Sequence, residues 1–137
     1  MGSVPTTDRD QIVRFHQRLI EKMLEDEEVV VAMSGDPCEL GILLSEPEIR
    51  LRLEVDGAKS RLYEVDGGDI KVDNPRILMK WSTAYRFWQG TLDLMSAVLN
   101  GSVRIEGTDM DPLFQLKSIV HKAQDASRII ADEMGWD

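Results

Sequence analysis

Few side chains in this chain have the chemistry of a general acid, a general base or a nucleophile. Histidine transfers protons near neutral pH, and cysteine attacks as a thiolate when a base or a cation lowers its pKa. The sequence holds two histidines, His16 and His121, and one cysteine, Cys38. Neither histidine lies at a motif spacing from a serine or a carboxylate, and neither is placed by the sequence to activate Cys38. Both histidines are therefore predicted to be surface or boundary residues, and the chain is predicted not to be an enzyme.

Residues that could hold a metal or a phosphate are equally scarce. The acidic run at 25–28 lacks the alternating oxygen donors and the glycine of a calcium loop. A single cysteine can build neither a zinc framework nor an intramolecular disulfide. The segment at 66–69 reads as a turn, because no helix start follows it as a phosphate cradle requires. The sequence therefore predicts no metal and no cofactor.

The composition limits the kinds of partner that this protein is expected to bind. The 137 residues carry a net charge of −9, which disfavours nucleic acid and stable insertion into an anionic membrane. This length suits a single domain over 1–137 with a real core. The chain start lacks the basic and apolar regions of a secretory signal, and no apolar run approaches the ~20 residues of a bilayer span. A cytoplasmic location is expected.

The apolar residues are most concentrated in the stretch 81–107, WSTAYRFWQGTLDLMSAVLNGSVRIEG. It reads as a strand end, two short helices closed by Gly90 and Gly101, and a strand closed by Gly107. The helices carry more apolar bulk than one helix face needs. Two interpretations stay open at this point: ordinary core packing, and the lining of a container for an apolar ligand.

The remaining elements follow from hydrophobic periodicity. A helix is predicted over 7–26 and a long C-terminal helix over about 112–134, where Asp111-Pro112 supplies the start signal. The segment 27–33 favours a last helical turn or a short second helix. The run 48–56 alternates with period two, which is typical of a strand with one face in water. Further strands are predicted at 39–45, 60–65, 76–81 and 102–106.

This pattern resembles the sterol carrier protein type 2 family of lipid-binding domains from about residue 9 to about residue 120. The resemblance depends on the leading amphipathic helix, the hairpin with Gly57 after its second strand, the strand ILMKWS that opens a helix, and the phrase FWQGTLDLMSAVLNGSVRIEG. It implies an α/β (α+β) fold with a five-stranded, mostly antiparallel sheet and helices packed on one face. It also implies an apolar cavity between sheet and helices that holds a sterol, a fatty acid or a fatty acyl-coenzyme A.

The resemblance makes binding and transfer of such a lipid the expected function. The alternative is a non-catalytic accessory module that docks a partner enzyme, and a homodimer is a further partner that the resemblance leaves open. The residues expected to line the cavity come from the second strand, the stretch 81–107 and the long C-terminal helix. They are Ile49, Leu51, Leu53, Trp81, Phe87, Trp88, Leu92, Met95, Val98, Leu99, Leu113, Leu116 and Val120.

Overall fold

The computed structural model describes residues 4–66 and 73–136. Six helices and five strands are assigned within these ranges. In chain order they are α1 (Arg9–Met23), α2 (Glu27–Ala32), β1 (Cys38–Ser45), β2 (Ile49–Val55), β3 (Arg61–Glu64), β4 (Arg76–Lys80), α3 (Trp81–Trp88), α4 (Leu94–Leu99), β5 (Val103–Glu106), α5 (Asp111–Lys117) and α6 (Val120–Glu133).

Side-chain caps explain where the first two helices begin. The Asp8 carboxylate accepts the backbone N–H groups of Asp10 and Gln11 at the start of α1. Asp26 caps α2 in the same way by accepting the N–H of Glu28. Of the two alternatives predicted for 27–33, a last helical turn or a short second helix, the structure has the second, with Val29 as its buried side chain.

The strands form one sheet in the order β3-β2-β1-β4-β5. The pair β1 and β4 is parallel, while β1/β2, β2/β3 and β4/β5 are antiparallel. The reversal around Pro47 joins β1 to β2, as the sequence predicts, with Leu44 opposite Ile49. The expected five-stranded, mostly antiparallel α+β architecture is confirmed.

The two faces of the sheet differ in chemistry because side chains alternate along each strand. On β2, Ile49, Leu51, Leu53 and Val55 are buried, and the residues between them are half-buried. We call the apolar face that meets the helices the inner face, and the opposite, charged face the outer face. Helix α1 packs on β2 and β3, α3 packs on β1 and β4, and α6 packs on α1.

Aromatic side chains from distant segments meet in the core above the inner face. Phe15 stacks on Trp136 with 5.0 Å between ring centroids. Trp81 is fully buried and meets both rings edge-on or nearly so. Its indole Nε1–H donates to the carbonyl oxygen of Thr6 at 2.9 Å. This cluster packs the Trp136 side chain, which follows α6, against α1 and α3.

Three boundaries differ from the sequence expectation. The long helix predicted over 112–134 is two helices, α5 and α6, separated at Ser118 and Ile119. Trp81 begins α3 instead of ending β4, and α4 begins only at Leu94. Most of the turn predicted at 66–69 lies outside the described residues. Among the described helices, none has the length and apolar character needed to cross a bilayer.

Candidate functional site

His16 is buried, which corrects the prediction of a surface or boundary residue. Its side chain is fully inaccessible and lies against the Phe15 and Trp81 rings. Nδ1 lies 2.8 Å from the carbonyl oxygen of Ile12, one turn back in α1. Trp88 of α3 donates its indole N–H to Nε2 at 3.2 Å. These two bonds fix the tautomer, with the proton on Nδ1 and the lone pair on Nε2.

The environment of His16 makes it a structural group rather than an acid–base catalyst. Burial lowers its pKa to about 4, although the bond to the Ile12 carbonyl opposes that shift. The ring is therefore neutral at physiological pH, and both its nitrogens are occupied by protein partners. His121 lies at an exposed position, as predicted.

Among the described residues, the Cys38 thiol is not activated and the carboxylates form no cluster for a metal ion. The Cys38 thiol is half-buried and lies 3.6 Å from the Gln115 side-chain oxygen. Burial raises the pKa of this thiol, with Asp109 and Glu39 adding to the effect, so the thiolate is disfavoured. Within residues 4–66 and 73–136, no group of three or more His, Cys, Asp or Glu side chains is arranged to hold a metal ion.

The predicted lining residues fall into three environments. Ile49, Leu51, Leu53 and Trp81 belong to the buried core. A second group is half-buried: Trp88, Leu113 and Leu116 pack against that core, Phe87 meets the Trp88 ring edge-on, and Leu92 and Val120 are also partly covered. Met95, Val98 and Leu99 are exposed on α4. The structure thus does not collect all thirteen side chains in one enclosed volume, and their contact with a ligand stays a prediction.

Helix α4 presents its apolar side outward. Ala97 is buried, whereas Met95 is 68% exposed and Leu99 is 81% exposed. With 3.6 residues per turn, Asp93, Ala97 and Asn100 share one side of the helix. That side borders a cleft of about 170 Å³ lined by Thr83, Arg86, Leu92, Asp93, Ser96, Ala97, Asn100 and Ser102. The apolar side therefore lies opposite this cleft.

The inner face of the sheet is least covered beside α4. β5 is the edge strand and packs beside α4. Its Ile105 lies on the inner face with Val103, because it is in register with Ile77, yet Val103 is buried and Ile105 is exposed. Ile77 and Met79 of the adjacent strand are only half-buried. We call Leu94, Met95, Val98, Leu99 and Ile105 the open apolar patch.

The sequence alone gives no signal for two features of this region. The burial of His16 depends on Trp88, which is 72 residues away in sequence. The exposure of the apolar side of α4 depends on which side of the helix meets its neighbours, such as β5. A helical period shows that one stripe is apolar, but it does not show whether a neighbouring element covers that stripe.

Comparison with known proteins identifies the fold. No protein-family model and no curated protein matches the sequence. Among solved structures, the sterol carrier protein domain 2 of Helicoverpa armigera has a TM-score of 0.66 at 16% identity, over 90% of this chain and 96% of that chain. A conserved hypothetical protein from Thermus thermophilus, described as possibly sterol carrier protein, gives 0.64 at 17% identity, over 85% and 86% of the two chains.

A third similar structure is that of a ubiquinone synthesis protein, UbiJ-SCP2. It has a TM-score of 0.62 at 13% identity and covers 83% of this chain and 96% of that chain. The matched structures include both carrier domains and a protein of a biosynthetic route, so their shared property is the arrangement of strands and helices. The chain described here therefore has the sterol carrier protein 2 fold.

Proposed function

We propose that this protein binds an apolar or amphipathic lipid, such as a sterol, a fatty acid or a fatty acyl-coenzyme A, and transfers it between cytoplasmic surfaces. The observation that carries the proposal is the open apolar patch on a fold shared with sterol carrier proteins. Binding and release make and break no covalent bond, which agrees with a buried, neutral His16 and a disfavoured Cys38 thiolate.

The geometry suggests where the lipid lies. Met95 and Leu99 share the outward side of α4 with Leu94 and Val98, and exposed groups of apolar side chains of this kind mark binding sites. A lipid chain along the apolar side of α4 would cover these side chains, and Ile105 lies on β5, the strand that packs beside α4. The thioether of Met95 also adapts to ligands of different shape. The lipid would then complete the apolar layer that the protein leaves open.

The energetics suit a carrier. Removing a chain of some 16 carbons from water gains about 12 kcal/mol at ~0.8 kcal/mol per methylene. A membrane offers nearly the same gain, so exchange between protein and membrane is close to neutral. A carrier needs this balance, because a cargo bound much more tightly would not be released.

A titration with a fluorescent fatty acid tests the proposal. We expect micromolar or tighter affinity and a change in tryptophan emission, with Trp88 as the half-buried indole nearest to α4 in sequence. Affinity should persist at about 1 M salt, where the Debye length is about 3 Å, because the gain is apolar. Loss of affinity at that salt concentration with the fold intact would assign the binding to a charged headgroup. The absence of fatty-acid binding would contradict the proposal.

The second candidate is an accessory module that docks a partner enzyme without carrying lipid. The charged outer face of the sheet favours it and is described below. Organic extraction of the purified protein, followed by mass spectrometry, distinguishes the two functions. Co-purified lipid at a stoichiometric level supports the carrier, whereas a lipid-free protein that also fails the fatty-acid titration supports the docking module.

A further inference from the structure

The outer face of the sheet concentrates positive charge on an acidic protein. The ladder pairings place six basic and three acidic strand residues on this face, a net charge of +3, while the whole chain carries −9. Two adjacent turn residues, Glu46 and Glu48, pair with Lys80 and Arg50, which leaves an excess of one positive charge. The basic residues are Arg50, Arg52, Arg61, Arg76, Lys80 and Arg104, and the acidic residues are Glu39, Glu54 and Glu106. The helices pack against the inner face, so none of this charge is required to cover the core.

An apolar pair lies at the centre of this face. Leu43 of β1 is in register with Leu78 of β4. Arg50 pairs with Leu43 from one side, and Arg104 pairs with Leu78 from the other. Both leucines are half-buried. The row Arg50-Leu43-Leu78-Arg104 therefore has an apolar centre and a charged rim, which is the usual anatomy of a protein–protein interface.

The next two rows hold their side chains in place through an ion pair, a hydrogen bond and a cation–π contact. Arg52 donates from Nε to Glu39 at 2.8 Å, and Glu39 also accepts from Asn74 at 2.9 Å. The Arg61 guanidinium lies 4.7 Å from the centre of the Tyr63 ring. Side chains fixed in this way lose less conformational entropy when a partner binds. Arginine and tyrosine are also the residues that most often dominate binding energy at interfaces.

We propose that the outer face docks an acidic, amphipathic segment of a partner protein. Glutamates of such a segment would join or replace Glu48 and Glu106 as the ion-pair partners of Arg50 and Arg104. Its leucines would cover Leu43 and Leu78. The three acidic residues argue for a protein rather than a nucleic acid or an anionic membrane. A continuous row of phosphates would meet Glu39, Glu54 and Glu106 as well as the arginines, whereas a protein segment can place neutral or basic side chains there.

The dimensions fit a helical segment. Five strands at about 4.8 Å spacing span roughly 19 Å, which is the length of a helix of about 13 residues. A contact of this size falls at the small end of specific interfaces, so the docking is transient. The inference is independent of the lipid proposal, because the outer face and the open apolar patch share no residue.

Nuclear magnetic resonance titration of the full chain tests this inference. The probe is a 14-residue helical peptide with glutamates along the edges of a leucine stripe, and its control has the same composition in scrambled order. We expect shift changes concentrated at Leu43, Leu78 and their flanking arginines. Shift changes confined to α4, or a Kd weaker than about 1 mM at low salt, would overturn the proposal. Binding of an RNA oligonucleotide or phosphatidylserine vesicles in place of the peptide would also overturn it.

Paired variants separate the outer face from overall charge. Arg50→Glu with Arg104→Glu should weaken peptide binding at least tenfold, since both guanidinium groups flank the leucine pair. Arg14→Glu with Lys117→Glu makes the same change in net charge on α1 and α5 and should change affinity less than twofold. Equal losses of peptide affinity in the two variants would show that net charge, and not the outer face, explains the effect. Circular dichroism and the fatty-acid titration verify that each variant keeps its fold and the other site.

Discussion

The indole N–H of Trp88 in α3 donates to Nε2 of His16 in α1 across 3.2 Å. This bond joins α3 to α1 inside the core. It requires a neutral imidazole whose Nε2 lone pair is available as the acceptor. A protonated His16 has no lone pair at Nε2 and cannot accept from Trp88. The relationship therefore makes the packing of α3 on α1 depend on pH.

Stability should fall as the solution becomes acidic. Burial lowers the pKa of His16 to about 4 in the folded chain, whereas an unfolded histidine titrates near 6.5. Between these values the unfolded state binds more protons, so stability rises with pH. The contribution of His16 is complete above about pH 6.5 and is lost through about pH 4, amounting to about 3 kcal/mol. Urea unfolding across this range measures the loss.

The nuclear magnetic resonance signals of the two histidine rings give a direct control for that prediction. A His121→Gln variant assigns the two sets of signals, because only those of His16 remain. The His16 signals should stay in the neutral position until the pH approaches 4 or the protein unfolds. A midpoint near 6.5 in the folded protein would show that the ring is accessible and would contradict its placement.

Removing the indole donor should destabilise the protein. Trp88→Phe keeps an aromatic ring but leaves the buried Nε2 of His16 without a partner, which costs about 1–3 kcal/mol of unfolding free energy. In a His16→Leu background the same substitution should cost less, since no acceptor remains to be left unpaired. Denaturant midpoints of the four proteins give the coupling energy. An equal cost in both backgrounds would show that packing, and not the hydrogen bond, explains the effect.

Two glycines of the same stretch should respond very differently to alanine. Gly107 has φ of +116°, and a Cβ there would lie 2.5 Å from the carbonyl oxygen of Asn74. Gly107→Ala should cost more than about 3 kcal/mol, because backbone strain and a backbone clash combine. Gly101 has φ of +83° with no described atom within 4 Å of a Cβ, so Gly101→Ala should cost about 1–2 kcal/mol.

Thermal unfolding of the two alanine variants provides the comparison. Each variant is the control for the other, since both replace a glycine at positive φ near β5. Similar thermal midpoints for the two variants would contradict the close approach of the Gly107 backbone to Asn74 and Pro75.

The sequence predicted those parts of the fold that depend on local pattern. The alternation from Ile49 to Val55 fixes a strand and the face that it buries, and the structure confirms both. The break at Ser118 was not predictable, because Leu116, Val120 and Ala123 keep an apolar period across it. The sequence predicts a surface or boundary position for His16, because nothing local shows that Trp88 of another helix donates to it. Periodicity likewise could not determine whether Met95 meets the core or the solvent.

The open apolar patch can be tested without disturbing the core. Met95 and Leu99 are exposed, so Met95→Glu with Leu99→Glu should change the unfolding free energy by less than about 1 kcal/mol. Val31 of α2 is a matched control, because it is apolar and 73% exposed on a different helix. Val31→Glu with Arg14→Glu adds at least as much negative charge and should leave lipid binding unchanged.

The most direct measurement is a fluorescent fatty-acid titration of the wild type, the Met95→Glu/Leu99→Glu protein and the Val31→Glu/Arg14→Glu control under the same conditions. The proposed function predicts micromolar or tighter binding by the wild type and the control. It predicts at least a tenfold weaker Kd for the α4 variant, equivalent to about 1.4 kcal/mol. Unchanged binding by a folded α4 variant would contradict the open apolar patch as the lipid site. Failure of the wild type to bind would contradict the carrier function itself.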